Sequence, residues 1–240
     1  MSTTPSIASS SGLAYHRRGV GHAVVLLHGI PGCAESWRAV TDALPTTLDV
    51  VVPDLLGFGA SDRPRHIDDL HARAQATALA RLLDEREIWT ATVIGHDFGG
   101  PVALELARQR SDLVAALGLL AANAFTDTPI PFPLSLVTLP IVGPIARRLL
   151  FSAPSLRMML RQGVGNDAPP PNRASYLGDR SQRQAIATIF AGSLTHLAAL
   201  YGPIEQQLTQ LDIPVYVGWG DRDPFFDIPP GQRTAQAART

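Results

Sequence analysis

Short apolar runs alternate with helical patterns along the first half of the chain. Each run is rich in aliphatic residues and has the length of a buried strand. These runs lie at 23–27, 50–52, 90–94 and 113–120. Between them, the spacing of apolar positions predicts amphipathic helices over 67–83 and 101–109. Strands separated by helices favour a parallel sheet that is covered on both faces.

The alternation stops after residue 120. The following residues are rich in proline and then helical in pattern, and a strand pattern returns at 213–217. We therefore predict one α/β domain that is interrupted by an insertion. Its parts are 1–123 (core, first part), 124–211 (mostly helical cap insertion) and 212–240 (core, second part). Ligands of open α/β sheets bind beyond the carboxyl ends of the strands, so the cap should cover the site.

Composition narrows the class of protein. The 240 residues are 45% hydrophobic and 17% charged, which supports a packed core, and the net charge of −1 suggests no nucleic-acid partner. The chain contains no lysine, which excludes Schiff-base chemistry on a lysine amine. Its single cysteine and the absence of a leader pattern predict a cytoplasmic location. Five prolines between 128 and 146 would break a spanning helix, so we expect no membrane partner.

One motif carries candidate chemistry. The predicted strand at 90–94 runs into Gly-His-Asp-Phe-Gly-Gly at 95–100, and a helix follows directly. A sharp turn at Asp97 would leave no room for side chains at Gly95 and Gly99. A carboxylate held at such a turn can attack an sp³ carbon and form an alkyl ester. Asp97 is therefore the candidate nucleophile.

Three motifs together resemble those of a known family. Besides the turn at Asp97, they are His-Gly-Ile-Pro-Gly at 28–32 and Asp-Leu-Leu-Gly-Phe-Gly-Ala-Ser-Asp at 54–62. In this order they resemble the α/β-hydrolase superfamily, and its Asp-nucleophile branch of epoxide hydrolases and haloalkane dehalogenases. The resemblance implies a mostly parallel sheet with flanking helices and a helical cap. Separately, no His/Asp cluster in the sequence has ligand spacing and no Gly-rich loop has dinucleotide spacing, so we expect no metal or other cofactor.

The resemblance assigns further roles residue by residue. The backbone N–H groups of Ile30 and Phe98 match the oxyanion hole, which holds the charge of the ester carbonyl oxygen when water attacks. Asp223 matches the acid that orients a histidine, and Asp221 competes for this role. The family's histidine follows the acid, but none of the seven histidines here lies after Asp223.

This departure leads to two expectations. We expect the chain to be truncated before the catalytic histidine, with the last strand and helix of the fold missing and the hydrolytic step impaired. His196, in the cap insertion, is an alternative base. In the other interpretation, the chain is a non-catalytic relative that binds a small apolar ligand or a protein partner.

The sequence does not decide whether the electrophile is a haloalkane or an epoxide. Dehalogenases often carry Trp after the nucleophile and Asn after His-Gly, where this chain has Phe98 and Ile30. Epoxide opening needs a phenol as acid, and the cap region offers Tyr176 and Tyr201. Apolar residues dominate the start of the cap and predict a small hydrophobic substrate. They are Ile130, Phe132, Leu134, Leu136, Val137, Leu139 and Ile141.

Overall fold

A single sheet forms the centre of the computed structural model, which describes residues 7–127, 132–163, 179–223 and 228–238. Within these residues the sheet has seven strands in the order β1-β2-β4-β3-β5-β6-β7. The strands are β1 (Ile7–Ala8), β2 (Ala14–Arg18), β3 (His22–Leu27), β4 (Leu48–Pro53), β5 (Ala91–His96), β6 (Val114–Leu120) and β7 (Val215–Gly218). Strands β3 to β7 pair in parallel, as the sequence predicts.

Two antiparallel strands at one edge are not predicted by the sequence pattern. Strand β2 pairs antiparallel with β4, and β1 pairs antiparallel with β2. The sequence of β2, Ala-Tyr-His-Arg-Arg, carries too few aliphatic residues to be recognised as a strand. Its pairing is supported instead by a cross-strand ion pair in which Arg17 Nη2 lies 2.7 Å from Asp49 Oδ2.

Helices cover the sheet and fill the region between β6 and β7. They are α1 (Arg38–Ala43), α2 (Ala72–Glu85), α3 (Gly99–Gln109), α4 (Gly143–Leu150), α5 (Ala153–Gly163), α6 (Arg180–Thr195), α7 (Leu197–Leu208) and α8 (Ile228–Ala237). The predicted helix over 67–83 is two elements, a 3-10 turn at Ile67–Asp69 and then α2. The break falls where His71 Nδ1 accepts a hydrogen bond from the Ala74 N–H at 3.3 Å and caps α2.

The core lies on both faces of the sheet. The larger cluster includes Val25 and Leu27 of β3 together with the buried faces of α2 and α3. Val24 and Leu26 point to the other face and pack with Trp37 in a smaller cluster. This alternation follows from the two-residue period of a strand.

The described elements between β6 and β7 are helical, and the division into core and cap remains a prediction. Among the described residues no single helix is long and apolar enough to cross a membrane. Helices α6 and α7 reach that length only as a pair, and they are bent by 80° where they meet.

Candidate active site

Asp97 lies at a sharp turn between β5 and α3. Its φ of +50° is in the left-handed region, which is strained for a residue with a side chain. A Cβ on Gly99 would lie 2.5 Å from Leu27 O, and one on Gly95 would overlap the Gly99 backbone. Both positions therefore require glycine, which confirms the steric argument made from the sequence. The turn is closed by the Gly100 N–H, which donates to Asp97 O at 3.0 Å, and the Asp97 N–H donates to Leu120 O of β6 at 3.0 Å.

The carboxylate of Asp97 is held by the loop after β3. The Ile30 N–H donates to Asp97 Oδ2 at 2.7 Å. The loop can approach this closely because Gly29 has no side chain, and a Cβ there would lie 2.7 Å from Oδ2. Oδ2 is thus fixed by a backbone donor, and the Phe98 N–H also hydrogen-bonds to this carboxylate. The steric role of Gly29 was missed from sequence, although its place directly before Ile30 was the available signal.

The electrostatic surroundings of Asp97 favour its neutral form. Burial is the main cause of a raised Asp97 pKa, and the negative charge of Asp223 raises it further. The backbone N–H groups of Ile30 and Phe98, together with His96, act in the opposite direction without cancelling the rise. Asp223 is therefore within electrostatic range of Asp97, as the sequence motif leads one to expect.

This raised pKa predicts the pH dependence of covalent capture by Asp97. Only the ionised carboxylate is a nucleophile, so the rate of alkylation should fall as the pH drops through the folded-state pKa. The midpoint should lie above the ordinary pKa of an aspartate side chain. Alkylation rates measured by intact mass from acid to neutral pH give the midpoint. A midpoint at or below the ordinary value would contradict the burial described for this side chain.

Tyr201 on α7 is buried and lies within electrostatic range of Asp97. Burial raises the pKa of the Tyr201 hydroxyl, and the negative charge of Asp97 raises it further. The phenol therefore keeps its proton at neutral pH and can serve as a donor. Tyr176, the other phenol named from the sequence, lies outside the described residues.

A polar cluster fixes the helix that carries Tyr201. Glu205 lies one turn after Tyr201 on α7, and its Oε1 accepts a hydrogen bond from Arg233 Nη2 at 2.7 Å. Its Oε2 accepts from the Thr126 N–H at 3.2 Å. Arg233 Nη1 also donates to Asp127 Oδ1 at 2.6 Å. The cluster joins α7 and α8 to the segment after β6, and no local sequence pattern predicts these distant pairings.

The histidines have no hydrogen bond to Asp97 within the described residues. His28 is fully buried, its Nε2 accepts from the Leu55 N–H at 3.0 Å, and its Nδ1 donates to Gly29 O at 2.9 Å. This arrangement needs the neutral ring, and burial lowers the His28 pKa accordingly. His96 and His196 are exposed.

Asp54 connects the two loops that flank the site. Its buried carboxylate accepts from the Ala34 N–H at 2.7 Å and from the Ala60 N–H at 2.8 Å. The bond to Ala60 closes the turn of the motif at 54–62, whereas the bond to Ala34 links it to the loop after β3. Among the described residues, no cluster of three or more His, Cys, Asp or Glu side chains could hold a metal ion.

Comparison with known proteins agrees with this architecture. The family model described as alpha/beta hydrolase fold matches residues 22–141, which is half of the chain. The chain belongs to the alpha/beta hydrolase fold family. A solved structure titled "Epoxide hydrolase CorEH without ligand" superposes with a TM-score of 0.72 and 25% identity, covering 92% of this chain and 82% of that one.

Relatives at the sequence level are of several kinds. An uncharacterized protein of Mycobacterium bovis is 33% identical over 236 residues, and the match covers 90% of this chain but 65% of the relative. A soluble epoxide hydrolase of Corynebacterium sp. is 39% identical over 106 residues, which is 44% of this chain and 36% of the relative. A haloalkane dehalogenase of M. bovis is 28% identical over 173 residues, which is 69% of this chain and 57% of the relative. The chain is thus related to both classes of enzyme.

Proposed function

We propose that this protein is a hydrolase that captures a small hydrophobic electrophile as an alkyl ester of Asp97. One observation carries the proposal. Asp97 sits in a left-handed turn, where its Oδ2 accepts the Ile30 N–H at 2.7 Å, and we assign the attack to Oδ1. The relationship to epoxide hydrolases and haloalkane dehalogenases supports this chemistry without choosing between them.

The first step differs between the two electrophiles in one respect. With a haloalkane, Oδ1 forms a bond to carbon while the carbon–halogen bond breaks, and the halide leaves as an ion. With an epoxide, Oδ1 forms the same bond while a ring C–O bond breaks, and the ring oxygen needs a proton. We assign this proton to the Tyr201 phenol, which regains one from solvent after the step.

The second step needs water and a base. Water attacks the ester carbonyl carbon, and the N–H groups of Ile30 and Phe98 hold the negative charge that develops on the carbonyl oxygen. Asp223 keeps its proposed role as the acid that orients a base. Among the described residues no histidine is hydrogen-bonded to Asp97, so we expect ester hydrolysis to be slower by ~10²–10⁴-fold than in a relative with a histidine base beside its nucleophile.

A stoichiometric burst tests the proposal. The chain is mixed with excess butyl bromide, and bromide release is followed with time. We expect rapid release of about one bromide per chain, followed by a slow phase that reports ester hydrolysis. A parallel reaction with styrene oxide should add the mass of the whole epoxide to the chain. If bromide release shows no burst and neither probe adds mass to the chain, the proposal is contradicted.

A variant of Tyr201 separates the two chemistries. Tyr201→Phe removes the proton donor, so ester formation with styrene oxide should slow by ~10²-fold or more. The burst with butyl bromide should change little because halide departure needs no proton. Tyr216→Phe, at an exposed phenol of β7, makes the same chemical change away from Asp97 and serves as the control. Equal slowing with both probes would mean that Tyr201 has a structural role only.

A second candidate function is a non-catalytic one. In this function the protein binds a small apolar ligand, or a protein partner, without turnover. In that case, intact mass would show no adduct while butyl bromide or styrene oxide still binds saturably. The covalent test and a binding isotherm on the same sample therefore decide between the two functions.

A further inference from the structure

Helix α4 faces its bulky aliphatic residues toward solvent. Gly143 and Ala146 are buried on its inner side. Val142, Ile145 and Leu149 follow the spacing of the neighbouring helix face, and the last two are each 63% exposed, whereas Leu150 packs against the core. A surface helix of a globular protein ordinarily has the reverse arrangement, with its aliphatic stripe against the core.

The inner side of α4 is already closely packed. A Cβ on Gly143 would lie 2.6 Å from Val137 O, and Val137 itself is buried in the core. The helix therefore approaches its support through its smallest residues, and a larger side chain would not fit there. The aliphatic residues cannot reach the core by rotation of the helix, so their exposure is built into the sequence.

Neighbouring elements also expose apolar side chains. Phe132 is 80% exposed and Ile141 is 87% exposed, on the segments that lead into α4, and Met158 is exposed on α5, which packs against α4. We call this surface the cap face, defined by Phe132, Ile141, Val142, Ile145, Leu149 and Met158. The sequence predicts that this apolar segment covers a pocket, and for Phe132, Leu139 and Ile141 the structure shows exposure instead.

The charged side chains of the segment that carries the cap face are all positive. From 128 to 166 the sequence has no Asp or Glu but has four arginines, at 147, 148, 157 and 161. Within the described residues none of these four has an acidic partner, whereas several arginines elsewhere in the fold do. Arg17 pairs with Asp49, for example, and Arg110 pairs with Asp84 at 2.9 Å. The cap face is therefore an apolar surface flanked by positive charge.

We propose that the cap face docks on the surface of an anionic lipid bilayer. Bulky aliphatic side chains flanked by basic residues and free of carboxylates are the composition of helices that lie in a membrane interface. Arginine stems can lie along the acyl boundary while the guanidinium groups contact lipid phosphates. Peripheral docking of this kind departs from the expectation of no membrane partner, which rested on the failure to find a spanning segment.

A second copy of the chain is a poorer occupant. Apposing two cap faces would bring two sets of four arginines together, and the segment 128–166 of neither copy has an acidic residue to neutralise them. A bilayer that contains anionic lipid supplies both the apolar phase and the opposite charge. The inference goes beyond the proposed hydrolase function and does not depend on Asp97.

Vesicle flotation tests the proposal on the full chain. Binding is compared between vesicles of phosphatidylcholine alone and vesicles that also contain phosphatidylglycerol. We expect at least about tenfold tighter binding to the anionic vesicles, weakened by added salt. The pairs Ile141→Ser with Ile145→Ser and Arg148→Glu with Arg157→Glu should each reduce this binding by about tenfold or more. Asp97→Asn should bind as the unchanged chain does, so that failure of the catalytic proposal is scored separately.

The matched control variants change exposed residues outside the cap insertion. Arg65→Glu with Arg81→Glu makes the same charge change at two other exposed arginines, and Val20→Ser removes an exposed aliphatic side chain on a turn. These variants should keep their vesicle binding apart from a small effect of net charge. Absence of vesicle binding by the unchanged chain would overturn the proposal, as would equal losses in the control and cap-face variants. Concentration-dependent dimers that disappear in the Ile141→Ser, Ile145→Ser variant would assign the cap face to a second copy instead.

Discussion

Replacing Asp97 with Asn is expected to abolish covalent capture of both styrene oxide and butyl bromide. The amide oxygen is a far weaker nucleophile than a carboxylate, while the side chain keeps its shape and can still accept the Ile30 N–H. Removal of a catalytic nucleophile in other enzymes costs rates on the order of 10⁴-fold or more. The rate of adduct formation, followed by intact mass, measures the loss.

The same variant should be more stable than the unchanged chain at neutral pH. Burial raises the Asp97 pKa above its unfolded value, so ionisation in the folded state costs free energy once the pH exceeds the unfolded pKa. The penalty grows as the pH rises through the folded pKa and stays constant above it. Asn carries no charge and escapes this penalty. Urea unfolding at acid and at neutral pH should show the gain for Asp97→Asn at neutral pH only.

Asp221 supplies the matched control for Asp97. Its side chain is exposed, and Asp221→Asn makes the identical chemical change. This variant should keep both the rate of capture and the unfolding free energy. Loss of capture in Asp221→Asn, or retained capture in Asp97→Asn, would place the nucleophile elsewhere.

Removing the Asp54 carboxylate is expected to produce the largest loss of stability among these variants. Asp54→Ala leaves the N–H groups of Ala34 and Ala60 without their acceptor in the interior. Hydrogen bonds to charged groups contribute ~1.5–3 kcal/mol each, so the free energy of unfolding should fall by ~3 kcal/mol or more. Urea unfolding monitored by circular dichroism measures the change.

Graded variants separate this effect from a general sensitivity to mutation. Asp54→Asn keeps one acceptor oxygen and should lose about half as much stability as Asp54→Ala. Asp42→Ala removes an exposed carboxylate whose ion pair to Arg38 is long, at 3.9 Å, and should change stability by less than ~0.5 kcal/mol. A loss for Asp54→Ala no greater than that for Asp42→Ala would contradict the connecting role of this side chain.

The sharp turn at Asp97 could be predicted because its cause is local. Gly95 is required by its contact with the Gly99 backbone inside the turn, and the strand and helix on either side have strong patterns. The contact that requires Gly99 is with Leu27 of β3, which is distant in sequence, so only the motif indicated it. Strand β2 could not be predicted because its pairing with β4 comes from residues more than thirty positions away. A propensity argument has no access to such a partner.

The cap region also has features that depend on packing between elements and could not be predicted from the local sequence. Its apolar residues are evident in the sequence, but the side on which they lie depends on the close packing of Gly143 against Val137. The pattern of α4 taken alone predicts a buried aliphatic stripe, which is wrong for Ile145 and Leu149. The electrostatic contact between Tyr201 and Asp97 is likewise set by the folding of the intervening chain.

The measurement that tests the central claim most directly is the location of the adduct. The chain is incubated with styrene oxide, digested, and sequenced by tandem mass spectrometry. The account predicts one added epoxide per chain, on Asp97, released by mild alkali as an ester should be. Cys33 is a poor competitor because burial raises the pKa of its thiol to about 12. An adduct on Cys33 or on a histidine, or turnover without any adduct on Asp97, would contradict the account.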